Sequence, residues 1–112
     1  MSLPQLVDHA AAISTVLAEL DVHRHEPVLI TLPDGPGFAE SFAGAVDQQA
    51  LPLPASPMLS ASQLTAAAAA AQARLVLASP DQLPAWGGEL DTEPAILING
   101  PHGPWIAALR LR

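Results

Sequence analysis

The chain has 112 residues, a length that suits a single domain. It contains no Cys and no Lys, which excludes disulfides, thiolate metal sites, thiol nucleophiles, Schiff-base lysines and the lysine of a phosphate-binding loop. Four arginines stand against eleven acidic residues, so the formal net charge is −7 and a surface for nucleic acid or for an anionic membrane is not expected. No apolar run approaches the roughly 20 residues of a membrane span, and the N-terminus lacks a basic segment, so we expect a cytoplasmic protein.

The first 32 residues predict a helix and a buried strand. Ser2 and Gln5 form a capping box, and apolar side chains at intervals of three and four predict a helix over residues 3–20. Residues 28–32 (VLITL) are a continuous aliphatic and β-branched run. Such a run is typical of a strand that is buried on both faces, as in a parallel sheet.

A second helix and an edge strand are predicted next. The helix should begin near Pro36, because proline is tolerated in a first turn. Residues 51–54 (LPLP) are extended but lack two backbone donors, which confines them to the edge of a sheet. The second helix should bury one apolar face, which consists of Phe38, Phe42, Ala45 and Val46.

The second half of the chain begins with another capping box, at Ser60 and Gln63, and an alanine-rich helix over residues 64–73. A strand is predicted at residues 75–78. Residues 81–93 are rich in Pro, Gly and acidic residues and make a poor helix, so one face of the sheet should be thinly covered. An uncovered apolar face usually needs a partner.

The last two predicted strands lie at residues 95–98 and 105–111. In the final strand the leucines and arginines alternate, which is typical of an edge strand and favours a complete chain that ends here. Strands that alternate with helices predict a single α/β domain over residues 1–112 with right-handed crossovers. We expect a small three-layer parallel sheet of the flavodoxin or Rossmann type, in the order 2-1-3-4 with the last strand added at the far edge.

The predicted turns hold few groups that could do chemistry. Residues 32–37 (LPDGPG) follow a strand and precede a helix, where phosphates are held in doubly wound sheets, but their spacing fits no phosphate-loop motif and favours a structural turn. His23, His25 and Glu26 lack a third and fourth metal ligand, since nothing in the sequence brings His9 or His102 near them. We expect surface histidines and no metal site.

Other candidate sites favour structural interpretations as well. A receiver-type phosphoacceptor domain needs a Lys, and a serine hydrolase needs a nucleophile elbow, and neither occurs. Residues 79–81 (SPD) are expected to form a capped turn at a strand end. The acidic residues Glu89, Asp91 and Glu93 predict a solvated loop, because a Ca²⁺ site needs more oxygen ligands. Trp86 and Trp105 are expected to anchor a core or an interface.

The middle of the chain resembles the early N-terminal segment of adenylate-forming enzymes, the acyl-CoA synthetases and related AMP-binding ligases. The resemblance rests on residues 28–40 (VLITLPDGPGFAE) and continues through the LPLP strand to residues 73–77 (ARLVL), about residues 3 to 80 in all. The family usually has Gly-Asp before the first strand, where this chain has Glu26 and Pro27. It usually has a glycine-containing turn before the second strand, where this chain has residues 47–49 (DQQ).

The resemblance implies the fold of one subdomain and no catalytic residue, because the family's phosphate loop, nucleotide motifs and adenylation lysine lie beyond this segment. We therefore expect no catalytic, cofactor-binding or metal-binding residues and no cofactor. The leading hypothesis is a truncated, non-catalytic interaction module that forms a homodimer or binds a ligase or carrier-type protein. There are two alternatives: the chain is one component of a split acyl-activating enzyme, or it is a small-ligand binding module. The residues expected at an interface or ligand are Trp86, Trp105, Leu109 and Leu111.

Overall fold

A computed structural model describes residues 2–86, 89–99 and 105–112 of the protein. The helices are α1 (Leu3–Glu19), α2 (Pro36–Asp47), α3 (Ala61–Ala71) and the single turn α4 (Leu83–Trp86), which follows a 3-10 turn at Pro80–Gln82. The strands are β1 (Pro27–Ile30), β2 (Leu51–Pro54), β3 (Leu75–Ala78), β4 (Ile96–Asn99) and β5 (Trp105–Arg110). The predicted helices and strands are thus confirmed, with small differences at their ends.

The five strands form one open sheet in the order β2-β1-β3-β5-β4. β1 pairs in parallel with β2 and with β3, as the α/β prediction requires. β5 pairs antiparallel with both β3 and β4. The α/β class with a mostly parallel sheet is therefore confirmed, and β2 lies at an edge as its prolines predict.

The predicted position of the last strand is wrong. β5 lies between β3 and β4 rather than at the far edge of the sheet. The alternation that favoured an edge is confined to the last residues, whereas Ile106, Ala107, Ala108 and Leu109 are all buried. A strand that is apolar on both faces gains most from a central position, so β4 becomes the edge instead.

Helices cover both faces of the sheet and make three layers. α1 and α2 pack on one face, where Ile13 and Leu17 meet Val28, Ile30 and Leu77. On the other face, α3 and the segment that follows β3 form a second core. Its buried members are Leu29, Ala61, Leu64, Ala68, Ala73, Val76, Ala78, Trp86, Leu90 and Leu109.

The predicted apolar face of α2 is confirmed only in part, by Phe38, which packs against the core, and by the buried Ala45. Phe42 is 39% exposed and Val46 is 53% exposed, although Ala45 is buried. α2 turns a different side inward because it packs closely against α1, and Gly44 lies where a Cβ atom would come within 2.7 Å of the Ile13 side chain. The buried side of α2 consists of Glu40, Ser41, Gly44 and Ala45.

Each of the three longer helices is followed by a residue with left-handed backbone that is not glycine. Asp21, Gln49 and Gln72 have φ values of 60°, 63° and 58°. The next residue in each case is buried, and its N–H donates to a carbonyl five residues earlier, which is the pattern of a Schellman motif. The three bonds are Val22 to Leu17 at 3.0 Å, Ala50 to Ala45 at 2.9 Å and Ala73 to Ala68 at 2.9 Å.

Candidate interaction and ligand surfaces

The carboxyl ends of the parallel strands, where ligands bind in many α/β sheets, are bridged by Gln82. Its Nε2 donates to the carbonyl oxygen of Thr31 at 3.1 Å and to that of Pro57 at 2.8 Å, and its Oε1 accepts from the Ser79 N–H at 2.8 Å. One side chain therefore connects the segments that follow β1, β2 and β3. The sequence reasoning missed Gln82, although Ser79 and Gln82 form the third capping box of the chain.

The glycine-containing turn before α2 has the geometry of a structural turn. Gly35 adopts a φ of 150°, which L-residues rarely adopt, and caps α2 without a side-chain hydrogen bond. The adjacent Asp34 is exposed. The predicted capped turn after β3 is also present, since the Ser79 hydroxyl accepts from the Asp81 N–H at 3.4 Å.

A buried polar pair joins α1 to α2. His9 Nδ1 hydrogen-bonds to Glu40 Oε1, and the two residues are 5% and 2% exposed. It is the one contact within salt-bridge distance among the residues that the structure describes. The sequence reasoning treated His9 as an isolated imidazole, because its partner lies 31 positions away on a different helix.

The other two histidines that the structure describes, His23 and His25, are not gathered into a metal site. Arg24 Nε donates to His25 Nε2 at 3.2 Å. The backbone N–H of His25 donates to the Gln49 carbonyl at 2.8 Å. His23 and His25 are exposed. In residues 2–86, 89–99 and 105–112, no three His, Asp or Glu side chains are placed to hold a metal ion. His102 lies outside the described residues.

The four residues predicted at an interface or ligand have different surroundings. Trp86 is 3% exposed, and its Nε1 donates to the Leu59 carbonyl at 2.9 Å, which fastens the loop before α3. Leu109 is 3% exposed and Leu111 is half-buried. Trp105, at the start of β5, is 52% exposed. It is therefore the one tryptophan that the described fold leaves open to a protein partner.

The two edges of the sheet differ in their chemistry. The N–H groups of Leu51 and Ala55 donate inward to β1, so Pro52 and Pro54 occupy the outward-facing positions of β2 and leave that edge without donors. β4 contains neither proline nor a charged residue. The described part of the chain thus has one edge that is closed to strand addition and one that is open.

No helix in the described part of the chain is both long enough and apolar enough to cross a membrane.

Three solved structures illustrate what the fold is similar to. The N-terminal domain of FACL13 from Mycobacterium tuberculosis is 21% identical, with a TM-score of 0.68 over 76% of this chain and 21% of its own. VinN is 28% identical, with a TM-score of 0.63 over 70% of this chain and 21% of its own. A benzoate CoA ligase from Burkholderia xenovorans LB400 is 26% identical, with a TM-score of 0.63 over 68% of this chain and 16% of its own. No curated protein sequence matches.

The chain therefore spans about a fifth, or less, of the length of these three solved chains. Their shared fold agrees with the resemblance that residues 28–40 carry. A model of the family described as AMP-binding enzyme matches residues 1–102, which is far more than half of the chain. The resemblance to adenylate-forming ligases is thereby confirmed, and the chain belongs to the AMP-binding enzyme family.

Proposed function

We propose that this domain is a scaffold and interaction module of the acyl-activating ligase type, which carries out no adenylation by itself and associates with a second copy of the same chain. The observation that carries the proposal is the open outer edge of β4. Membership of the AMP-binding family supports the assignment to the ligase type. The cytoplasmic location of the protein stays a prediction.

The open edge has apolar side chains on both faces of the sheet. Ile96 is 41% exposed on the face that α1 and α2 cover, and Leu97 is 52% exposed on the opposite face. Trp105 shares that opposite face with Leu97, because Trp105 pairs with Asn99 and Leu97 pairs with Ala107. Unpaired backbone groups flanked by apolar side chains favour the addition of another strand.

A second copy supplies a matching strand. Two β4 strands that pair antiparallel about a twofold axis form an isologous contact, in which each copy gives the same residues to the other. Assembly ends at two copies, since the prolines of β2 prevent the remaining edges from adding further strands in the same way. The four-residue strand is short, so we expect a dimer that forms in the micromolar range and strengthens with salt, which screens the net charge of −7.

Sedimentation velocity over a range of micromolar concentrations tests the dimer. Leu97→Lys places a charge beside the pairing strand and should give a monomer. Val46→Lys is the matched control, because Val46 on α2 is exposed to the same extent, 53% against 52%, and it should leave the dimer intact. A parent protein that stays monomeric throughout, or a Val46→Lys variant that dissociates as readily as Leu97→Lys, would contradict the proposed interface.

The non-catalytic part has a separate test. ATP–pyrophosphate exchange with a panel of fatty and aromatic acids should give no signal above buffer for the isolated chain. Acid-dependent exchange by the pure chain would overturn this part of the proposal and leave the dimer test unaffected.

A second candidate function follows from the same open edge. If the chain is one component of a split acyl-activating enzyme, a strand of the catalytic chain would take the place of the second copy at β4. Co-expression with a ligase from the same genome that lacks this N-terminal segment would then give exchange activity that neither chain shows alone. Leu97→Lys should abolish that activity and Val46→Lys should not.

A further inference from the structure

Three of the four arginines of this acidic chain surround a single cleft. Arg74, Arg110 and Arg112 line a cavity of about 660 Å³ at the end of the sheet where β3 begins and β5 ends. Backbone hydrogen bonds hold this corner together, since the Leu111 N–H donates to the Arg74 carbonyl at 2.7 Å and the Arg112 N–H donates to the Asp91 carbonyl at 3.1 Å. The cleft lies at the opposite end of β5 from Trp105, so it is separate from the proposed dimer edge.

The positive charges of the cleft lack direct neutralisation. No guanidinium of the three lies within 4.0 Å of a carboxylate among the described residues, although Glu89 and Asp91 also line the cleft. Three positive side chains thus stand against two negative ones at this corner of a chain whose net charge is −7. Gathering like charges in this way costs free energy, which an anion between the guanidinium groups would offset.

The opposite wall of the cleft is apolar. Ala68 and Ala69 on α3 and Ala73 after its end line the cleft, together with Thr65 and the buried Leu90. Apart from Thr65, the side chains of this wall are alanine and leucine, which form no hydrogen bonds, and the volume of the cleft is within the range of small-molecule sites in proteins. The occupant should therefore combine a charged head with an apolar body.

We propose that this cleft binds a small organic oxyanion, whose carboxylate or phosphate head contacts the arginines and whose apolar body packs on the alanines of α3. A guanidinium group forms two parallel hydrogen bonds with either head group, so the arginines recognise the chemistry that both share. A cleft of about 660 Å³ that also contains two acidic side chains suits a small anion better than an extended polyanion. The site does not depend on the proposed dimer or on adenylation chemistry.

Isothermal titration calorimetry with four probes, carried out on the full chain, measures the affinity of the site for each probe. Phenyl phosphate and 3-phenylpropionate each combine an anionic head with an apolar body, whereas inorganic phosphate and benzyl alcohol offer only one part. We expect at least one of the two complete probes to bind measurably more tightly than both partial ones, and the better complete probe identifies the preferred head group. Equal binding of benzyl alcohol and the complete probes, or no binding of either complete probe, would overturn the proposal.

Single substitutions of arginine provide a matched comparison. Arg74→Ala and Arg112→Ala remove exposed side chains from the cleft. Arg24→Ala removes an exposed arginine that lies elsewhere, with the same change in net charge. We expect the affinity for the better complete probe to fall at least fivefold in the first two variants and less than twofold in the third. Similar losses in all three would show a general charge effect and contradict the site.

Glu89→Gln supplies a test in the opposite direction. It removes a negative charge from the cleft without shortening the side chain, so the affinity should rise at least twofold. An unchanged or lower affinity in a variant with normal thermal unfolding would contradict the charge argument.

Discussion

The side-chain amide of Gln82 donates to the carbonyl oxygen of Thr31 at 3.1 Å, across 51 positions of the chain. The same Nε2 donates to Pro57, and Oε1 accepts from the Ser79 N–H, so both ends of the amide are satisfied. Because Thr31, Pro57 and Ser79 follow three neighbouring parallel strands, Gln82 holds together the end of the sheet at which α/β proteins commonly bind ligands.

Substitution of Gln82 should therefore destabilise the fold more than loss of an ordinary helix cap. Gln82→Ala removes two donors and one acceptor, and we expect a loss of about 2–3 kcal/mol, since each hydrogen bond contributes about 0.5–1.5 kcal/mol. Gln63→Ala is the control, because Gln63 forms the same capping box at Ser60 without a remote partner. Its loss should stay near 1 kcal/mol. Urea unfolding measures both, and equal losses would show that the contacts with Thr31 and Pro57 contribute nothing.

The buried pair of His9 and Glu40 should show strong coupling between α1 and α2. Either His9→Leu or Glu40→Leu leaves a polar group buried without its partner, and we expect each to cost about 3 kcal/mol. The double variant removes both polar groups together, so its loss should be smaller than the sum of the single losses by at least 1 kcal/mol. A double-mutant cycle by urea unfolding measures this difference. Additive losses would show that the pair contributes no interaction energy.

The helix contact beside that pair depends on the absence of a side chain at Gly44. A Cβ atom there would lie 2.7 Å from Ile13 Cγ2 and 2.9 Å from the Ala10 carbonyl oxygen. Gly44→Ala should lower the free energy of unfolding by about 2 kcal/mol, because buried overpacking outweighs the gain in helix propensity. The control is the adjacent position on the same helix, where Ala43→Gly should lose only the helix propensity, about 1 kcal/mol. A neutral or stabilising Gly44→Ala would contradict the close approach of α1 and α2.

The sequence predicts the local elements well because their signals are local. The capping boxes at Ser2 and Ser60 mark the starts of α1 and α3, and the prolines of β2 exclude a central position. The central position of β5 and the buried side of α2 were not predicted. Both depend on distant partners, since β5 competes with β4 for the place beside β3, and α2 turns Gly44 toward α1.

The candidate surfaces were predicted only in part for the same reason. Trp105 could be named from the sequence because large aromatic residues are scarce in this chain. The convergence of Arg74 with Arg110 could not be named, because it requires the register in which Leu75 pairs with Arg110. Likewise, the contact of His9 with Glu40 requires α1 and α2 to lie side by side.

Two glutamines adopt a left-handed backbone conformation in the turns that follow α2 and α3. Gln49 has a φ of 63° at the turn before β2, where the family usually has glycine, and Gln72 has a φ of 58° after α3. A residue with a Cβ atom is strained in this conformation by about 1–2 kcal/mol, and glycine recovers part of that strain at some cost in chain entropy. Gln72→Gly should therefore raise the free energy of unfolding by about 0.5–1 kcal/mol. Ala71→Gly, one residue earlier and still helical, should lower it by about 1 kcal/mol. Thermal and urea unfolding check both variants, and a destabilised Gln72→Gly would contradict the left-handed backbone at that position.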